Sequence, residues 1–244
     1  MPYLSFIDDT TFTSLVSKTL EHGHDAKKKV ASNFDRNVID PFSILWEMSA
    51  FDSDFDAWYK MEVSRQAQKT LSNHVGMFHQ NFLGSINGWQ NLGVGQMVDL
   101  VNTEKKIIAE VKNKHNTVTG GKLVDLYNEL RDLVMPNGQT YKGYTAYYVE
   151  IIPKKPIRTD TVFTPPDKKT STKCPSNEKI RKIDGASFYT LVTGVEDALE
   201  QVFNALPKVI KDLYPQFNER SSQSAYVYYQ KAYTSSFNKS NSSL

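Results

Sequence analysis

Between Gly84 and Gly95 the apolar period of this 244-residue chain changes from about 3.6 to 2, so helices must give way to sheet within one polypeptide. Upstream, three helices are expected. The first starts at Asp9 or Thr10, carries Phe12, Leu15, Val16 and Leu20, and ends at Gly23. The second follows Asp40-Pro41, where proline suits the first helical position, and carries Phe42, Leu45 and Trp46. The third buries a stripe of Ala67, Leu71, Val75, Phe78 and Phe82.

Downstream, Gln96–Val101 and Lys106–Lys112 flank the turn-like Asn102-Thr103-Glu104-Lys105, which predicts a β-hairpin. A helix over Leu123–Val134 and a buried strand over Thr145–Ile152 follow, and a helix between strands implies a crossover. The five prolines between Pro153 and Pro175 predict an extended surface loop. A short strand is expected over Lys179–Ile183, then helices over Ser187–Thr193 and Val195–Leu213, then a polar tail. The order of elements predicts an α/β fold with a mixed central sheet flanked by helices. A chain of this length suits one domain over 1–244: a helical part (1–90), a core (91–213) with the basic loop 153–182, and a tail (214–244).

No apolar run is long enough to span a bilayer and the first residues do not read as a leader, so no membrane partner and a cytoplasmic location are expected. The single cysteine, Cys174, excludes an internal disulfide and paired-cysteine zinc sites. The net charge of +2 does not by itself advertise nucleic acid. Its distribution is uneven: from Lys154 to Lys182 nine Lys or Arg stand against three acidic residues. Such a loop can neutralise phosphates. Its candidates are Lys154, Lys155, Arg158, Lys173, Arg181 and Lys182, joined by Asn113 and Lys114 at the end of the hairpin. The bland alternative is a solvated loop.

The chemistry concentrates on the hairpin. Residues two apart on a strand share a face, so Glu110 and Lys112 project together while Ile107, Ala109 and Val111 point into the core. The antiparallel partner brings Asp99 beside Glu110. Glu-x-Lys arises on the order of once by chance in a chain this long, and Glu104-Lys105-Lys106 matches it as well. Glu110 differs in lying within an apolar strand. A structural cross-strand ion pair would use the same residues. The histidines carry no expected chemistry: His74 and His79 miss helical zinc-pair spacing, and His22 and His24 flank the expected helix end.

Asp99 followed by Glu110-Val111-Lys112 resembles the PD-(D/E)xK nuclease motif, with Val98 where the motif has proline. Gly88-Trp89, Val98–Asn102, Lys105–Lys114, Tyr141–Pro153, Arg65–Thr70 and Val195–Glu200 are similar to type II restriction endonucleases that cut GGNCC-type sites. The resemblance implies a PD-(D/E)xK fold and hydrolysis of both strands of a short palindromic site in double-stranded DNA, leaving 5′-phosphates. It implies Mg²⁺ held by Asp99, Glu110 and the Val111 carbonyl, with Lys112 on the attacking water and Glu62 as a further acidic residue from the third helix. A homodimer and a companion DNA methyltransferase are expected with that function. The alternatives are a non-catalytic DNA-binding protein on the same fold and a structure-specific repair nuclease.

Overall fold

The computed structural model describes residues 1–34, 38–93, 95–167, 169–218 and 220–237. Lys168 of the basic loop and residues 238–244 of the expected tail lie outside the described residues. In chain order the elements are α1 (Asp9–Ser32), α2 (Pro41–Ala50), α3 (Phe55–Gly84), β1 (Gln90–Asn91), β2 (Leu100–Asn102), β3 (Ile107–Lys114), α4 (Gly121–Val134), β4 (Thr145–Ile152), β5 (Asp160–Val162), β6 (Pro166–Asp167), β7 (Thr172–Lys173), β8 (Ile180–Asp184), α5 (Gly185–Thr193), α6 (Ala198–Leu213) and α7 (Arg220–Phe237). The described chain forms two compact units, Met1–Thr13 with His79–Leu244, and Ser14–Phe78. The boundaries fall inside α1 and α3, and the sheet-containing unit includes the first thirteen residues and the last turns of α3.

In the helical unit α2 starts where expected, with the Asp40 side chain accepting from the Phe42 amide at 2.9 Å and proline in the first turn. No residue of α2 is buried, and Phe42, Leu45 and Trp46 are exposed. The expected stop at Gly23 is corrected, because α1 runs on to Ser32. A Cβ on Gly23 would lie 3.1 Å from a Leu71 methyl, so the glycine lets α1 and α3 approach closely instead of capping a helix. His22 and His24 therefore lie inside α1, and the His22 ring stacks on His74 at 3.9 Å between centroids.

The other unit is built on a six-stranded mixed sheet ordered β1-β2-β3-β4-β8-β5. The hairpin is present, with β2 antiparallel to β3 and Asn102 opposite Ile107. Asn102 Oδ1 accepts the Lys105 amide at 2.7 Å inside the turn, and Lys106 takes a left-handed φ of 54°. Strands β3, β4 and β8 are parallel, and the crossover from β3 to β4 runs through α4 as expected. Central parallel strands are covered on both sides. This corrects the expectation for β3: Ile108, on the same face as Glu110, is as fully buried as Ala109 on the other.

Helix α4 covers one face, where Leu126, Tyr127, Leu130 and Val134 form a core with Val101, Ile108, Ala146, Tyr148 and Ile180. On the opposite face the Tyr147 ring meets Phe188 of α5, and Phe188 meets Trp89. The proline-rich stretch is not merely a loop: β5 extends the sheet beside β8, and β6 pairs with β7. Phe163 and Cys174 of that stretch are core residues. Part of the expected polar tail is the helix α7. Helix α7 buries Tyr229 and Tyr233, and Tyr233 Oη donates to the Ile151 carbonyl at 2.9 Å.

Candidate active site

The hairpin ends its regular pairing at Leu100 opposite Ala109, which sets Asp99 one step further along, opposite Glu110. There the ladder is replaced by a side chain: the Val111 amide donates to Asp99 Oδ2 at 2.7 Å. Strand β2 is accordingly shorter than the expected Gln96–Val101 run, because a carboxylate occupies a donor that a backbone carbonyl would otherwise take. Two residues on, Lys112 Nζ pairs with Glu110 Oε1. Asp99, Glu110 and Lys112 thus form one cluster on the face of the sheet that α4 covers further down.

Both carboxyls are poorly solvated. The Glu110 side chain is 15% exposed and that of Lys112 26%. Burial raises the Asp99 carboxyl above its ordinary range, opposed by the Val111 amide and the Lys112 charge. Burial and then the charge of Asp99 push Glu110 up to about 7, against the pull of Lys112. Two apposed carboxylates with one lysine leave negative charge uncompensated, and a divalent cation would satisfy it. Asp99, Glu110 and the Val111 carbonyl offer hard oxygens, a set that would fit a divalent cation such as Mg²⁺, which needs few protein carboxylates. Among the described residues no cluster of three or more His, Cys, Asp or Glu side chains could hold a metal.

Sequence reading missed Gln80. From the last turns of α3 its Nε2 donates to the Val111 carbonyl at 3.3 Å, and it also stabilises ionised Asp99. The carbonyl keeps a second lone pair. Nothing local marks Gln80, because its role depends on where α3 ends against β3. Glu62, on the same helix, belongs to the helical unit. Its carboxylate accepts from Arg65 Nε at 2.5 Å and from Gln66 at 2.7 Å.

The DNA-contact candidates separate by surroundings. Lys114, Lys154, Lys155 and Lys173 are exposed, whereas Asn113 is partly covered. Arg158 donates to the Glu196 carbonyl at 2.6 Å and to Thr190 at 3.3 Å, so it ties down the turn between α5 and α6. Arg181 pairs with Asp160 at 2.6 Å and Glu178 at 2.9 Å, on the face opposite Glu110. Lys182 sits on the same face as Glu110, paired with Glu150 at 2.7 Å. The expected charge of the basic loop is therefore partly neutralised within the fold.

A mixed sheet carrying this carboxylate and lysine cluster belongs to a chain whose relatives define a class, the type II restriction endonucleases. It is 49% identical over 211 residues to the type II restriction enzyme Eco47II of Escherichia coli, covering 86% of this chain and 88% of that protein. It is 32% identical over 218 residues to the type II restriction enzyme Sau96I of Staphylococcus aureus, covering 86% of this chain and 80% of that protein. The Eco47II restriction endonuclease family model matches residues 4–215, and the chain belongs to that family. It is a restriction endonuclease, a DNA-binding hydrolase. No solved structure matches it. No helix among the described residues is long and apolar enough to cross a membrane.

Proposed function

We propose that this chain is a PD-(D/E)xK endonuclease that hydrolyses both strands of a short palindromic, GGNCC-like DNA site with Mg²⁺, leaving 5′-phosphate ends. The observation that carries this reading is the apposition of Asp99 and Glu110 around the Val111 amide, with Lys112 on Glu110. Asp99, Glu110 and the Val111 carbonyl would hold the cation, which when bound supplies charge neutralisation at the phosphate and acidifies a coordinated water. Lys112 orients the attacking water and holds or moves its proton through Nζ. Asp99 stays oriented by the Val111 amide, and Gln80 steadies both the Val111 carbonyl and Asp99.

Cutting both strands of a two-fold symmetric site calls for two such sites, hence a homodimer. The same reading takes the chain as one catalytic domain working in the cytoplasm beside a companion methyltransferase. Exposed Lys114, Lys154, Lys155 and Lys173 supply contacts to the DNA backbone. The test is incubation with a long duplex of known sequence, with and without Mg²⁺, beside the Glu110→Ala and Lys112→Ala variants. Discrete Mg²⁺-dependent fragments with a shared end sequence, lost in both variants, are expected. DNA left intact on unmethylated substrate holding every GGNCC variant would overturn the reading in favour of a non-catalytic DNA-binding protein. Cleavage of branched or damaged DNA without sequence preference would favour a repair nuclease.

A further inference from the structure

A second charged pair lies beside the first, on the next two strands. The parallel register sets Glu110 level with Tyr148 and Tyr148 level with Lys182, and sets Lys112 level with Glu150. Paired residues of neighbouring strands share a face, so these five side chains, with Asp184 level with Glu150, make two polar rows across β3, β4 and β8. The Glu150 side chain is only 4% exposed, in a strand otherwise apolar at both covered faces, and its ion-pair partner is Lys182 Nζ at 2.7 Å. Lys182 is 38% exposed, and its ammonium lies 5.5 Å from the centre of the Tyr148 ring. The Tyr148 hydroxyl is buried between charges, in the fields of Glu150 and Glu110.

Stability alone does not call for this arrangement, since a buried carboxylate loses more hydration than one lysine returns, and apolar residues of similar size serve a core as well. A pair with one member sunk in the sheet and the other half in water instead holds an ammonium in a fixed place. Two strand spacings, about 10 Å, separate Lys182 from Glu110. Only part of the donor capacity of the ammonium is used by Glu150, and the side chain that carries it is 38% exposed.

We propose that Lys182 contacts a DNA phosphate neighbouring the scissile one and that Glu150 is the positioning residue that holds it there. This rests on the nuclease reading above and adds an anion subsite to it. The pair would set the register of the strand against Asp99, Glu110 and Lys112, as phosphate contacts do.

The test measures binding of a cleavable duplex across a salt series, with Ca²⁺ replacing Mg²⁺, and the single-turnover cleavage rate with Mg²⁺, for wild type, Lys182→Met, Lys182→Arg, Glu150→Gln and the Glu150→Gln/Lys182→Met double variant. Loss of one phosphate contact lowers the slope of log affinity against log salt by about one. Lys182→Met and the double variant, which removes both charges and leaves none buried alone, are expected to show that drop and about tenfold slower cleavage. Lys182→Arg is expected to keep the wild-type slope, and Glu150→Gln to shift it in the direction of Lys182→Met. Wild-type slopes and rates in Lys182→Met and the double variant, or lowered thermal stability with unchanged slopes, would overturn the subsite and leave the nuclease reading standing. Wild-type protein that neither binds nor cuts duplex DNA would overturn both.

Discussion

At the scale of single residues, the cluster sorts side chains by what each can do to the others. Lys112→Ala is expected to lower the cleavage rate by about 10²- to 10⁴-fold, the size of a lost proton-handling group, with an unchanged circular dichroism spectrum. Gln80→Ala removes a contact behind the cluster and is expected to weaken Mg²⁺-dependent activity by about 10- to 100-fold, read as a higher Mg²⁺ requirement. Gly185 shows the opposite sensitivity. A Cβ there would lie 2.3 Å from the Ile151 carbonyl oxygen, and backbone cannot move aside as a flexible side chain can. Gly185→Ala is expected to destabilise the protein by about 3 kcal/mol in denaturant unfolding.

At the scale of elements, α5 and α7 meet the same stretch of β4. Asp184 ends β8 and caps α5 by accepting the Ser187 amide at 3.0 Å, while it also accepts the Thr159 amide at 2.6 Å. One carboxylate therefore orders both the start of α5 and the approach to β5. Helix α7 closes on the Ile151 carbonyl through Tyr233, which leaves that carbonyl engaged where Gly185 also crowds it. Tyr233→Phe is expected to cost about 1 kcal/mol, the net worth of one hydrogen bond, measured as a shift in the unfolding midpoint.

At the scale of the whole molecule, the chief titrating group outside the carboxylate cluster is His79. Its Nδ1 lies 2.7 Å from Tyr189 Oη, and burial lowers its pKa to about 4. The unfolded chain binds that proton near the ordinary pKa of about 6.5. Between about pH 6.5 and 4 the unfolded state holds more protons than the folded state, so stability falls as pH drops through that window. The contribution is at most about 3 kcal/mol. Unfolding followed between pH 7 and 4 is expected to show a steeper decline for wild type than for His79→Gln, which has no such proton to lose. Equal slopes would show that His79 is free to charge in the folded protein.

Asp99, Glu110 and Lys112 were legible in the sequence because a strand alternates by two and a short turn fixes its register, so local rules alone set the three on one face. The same rules located α2 from Asp40-Pro41, the crossover helix α4 and the buried strand β4. The Gly23 stop failed because a glycine in a helix has two uses, a cap or a close approach, and only packing against Leu71 chooses between them. The elements within the loop from Pro153 to Pro175 and within the polar tail were not legible for a related reason: β5 exists because β8 offers an edge, and α7 because Tyr229 and Tyr233 find buried seats. Glu150 carried a visible signal, a charge inside an apolar strand, but its partner lies 32 residues away on another strand. Gln80 carried none. Local periodicity determined which residues could form the carboxylate and lysine cluster, whereas the parallel register of β3, β4 and β8 and the end of α3 decided what surrounds it, because those contacts join segments that no local rule connects.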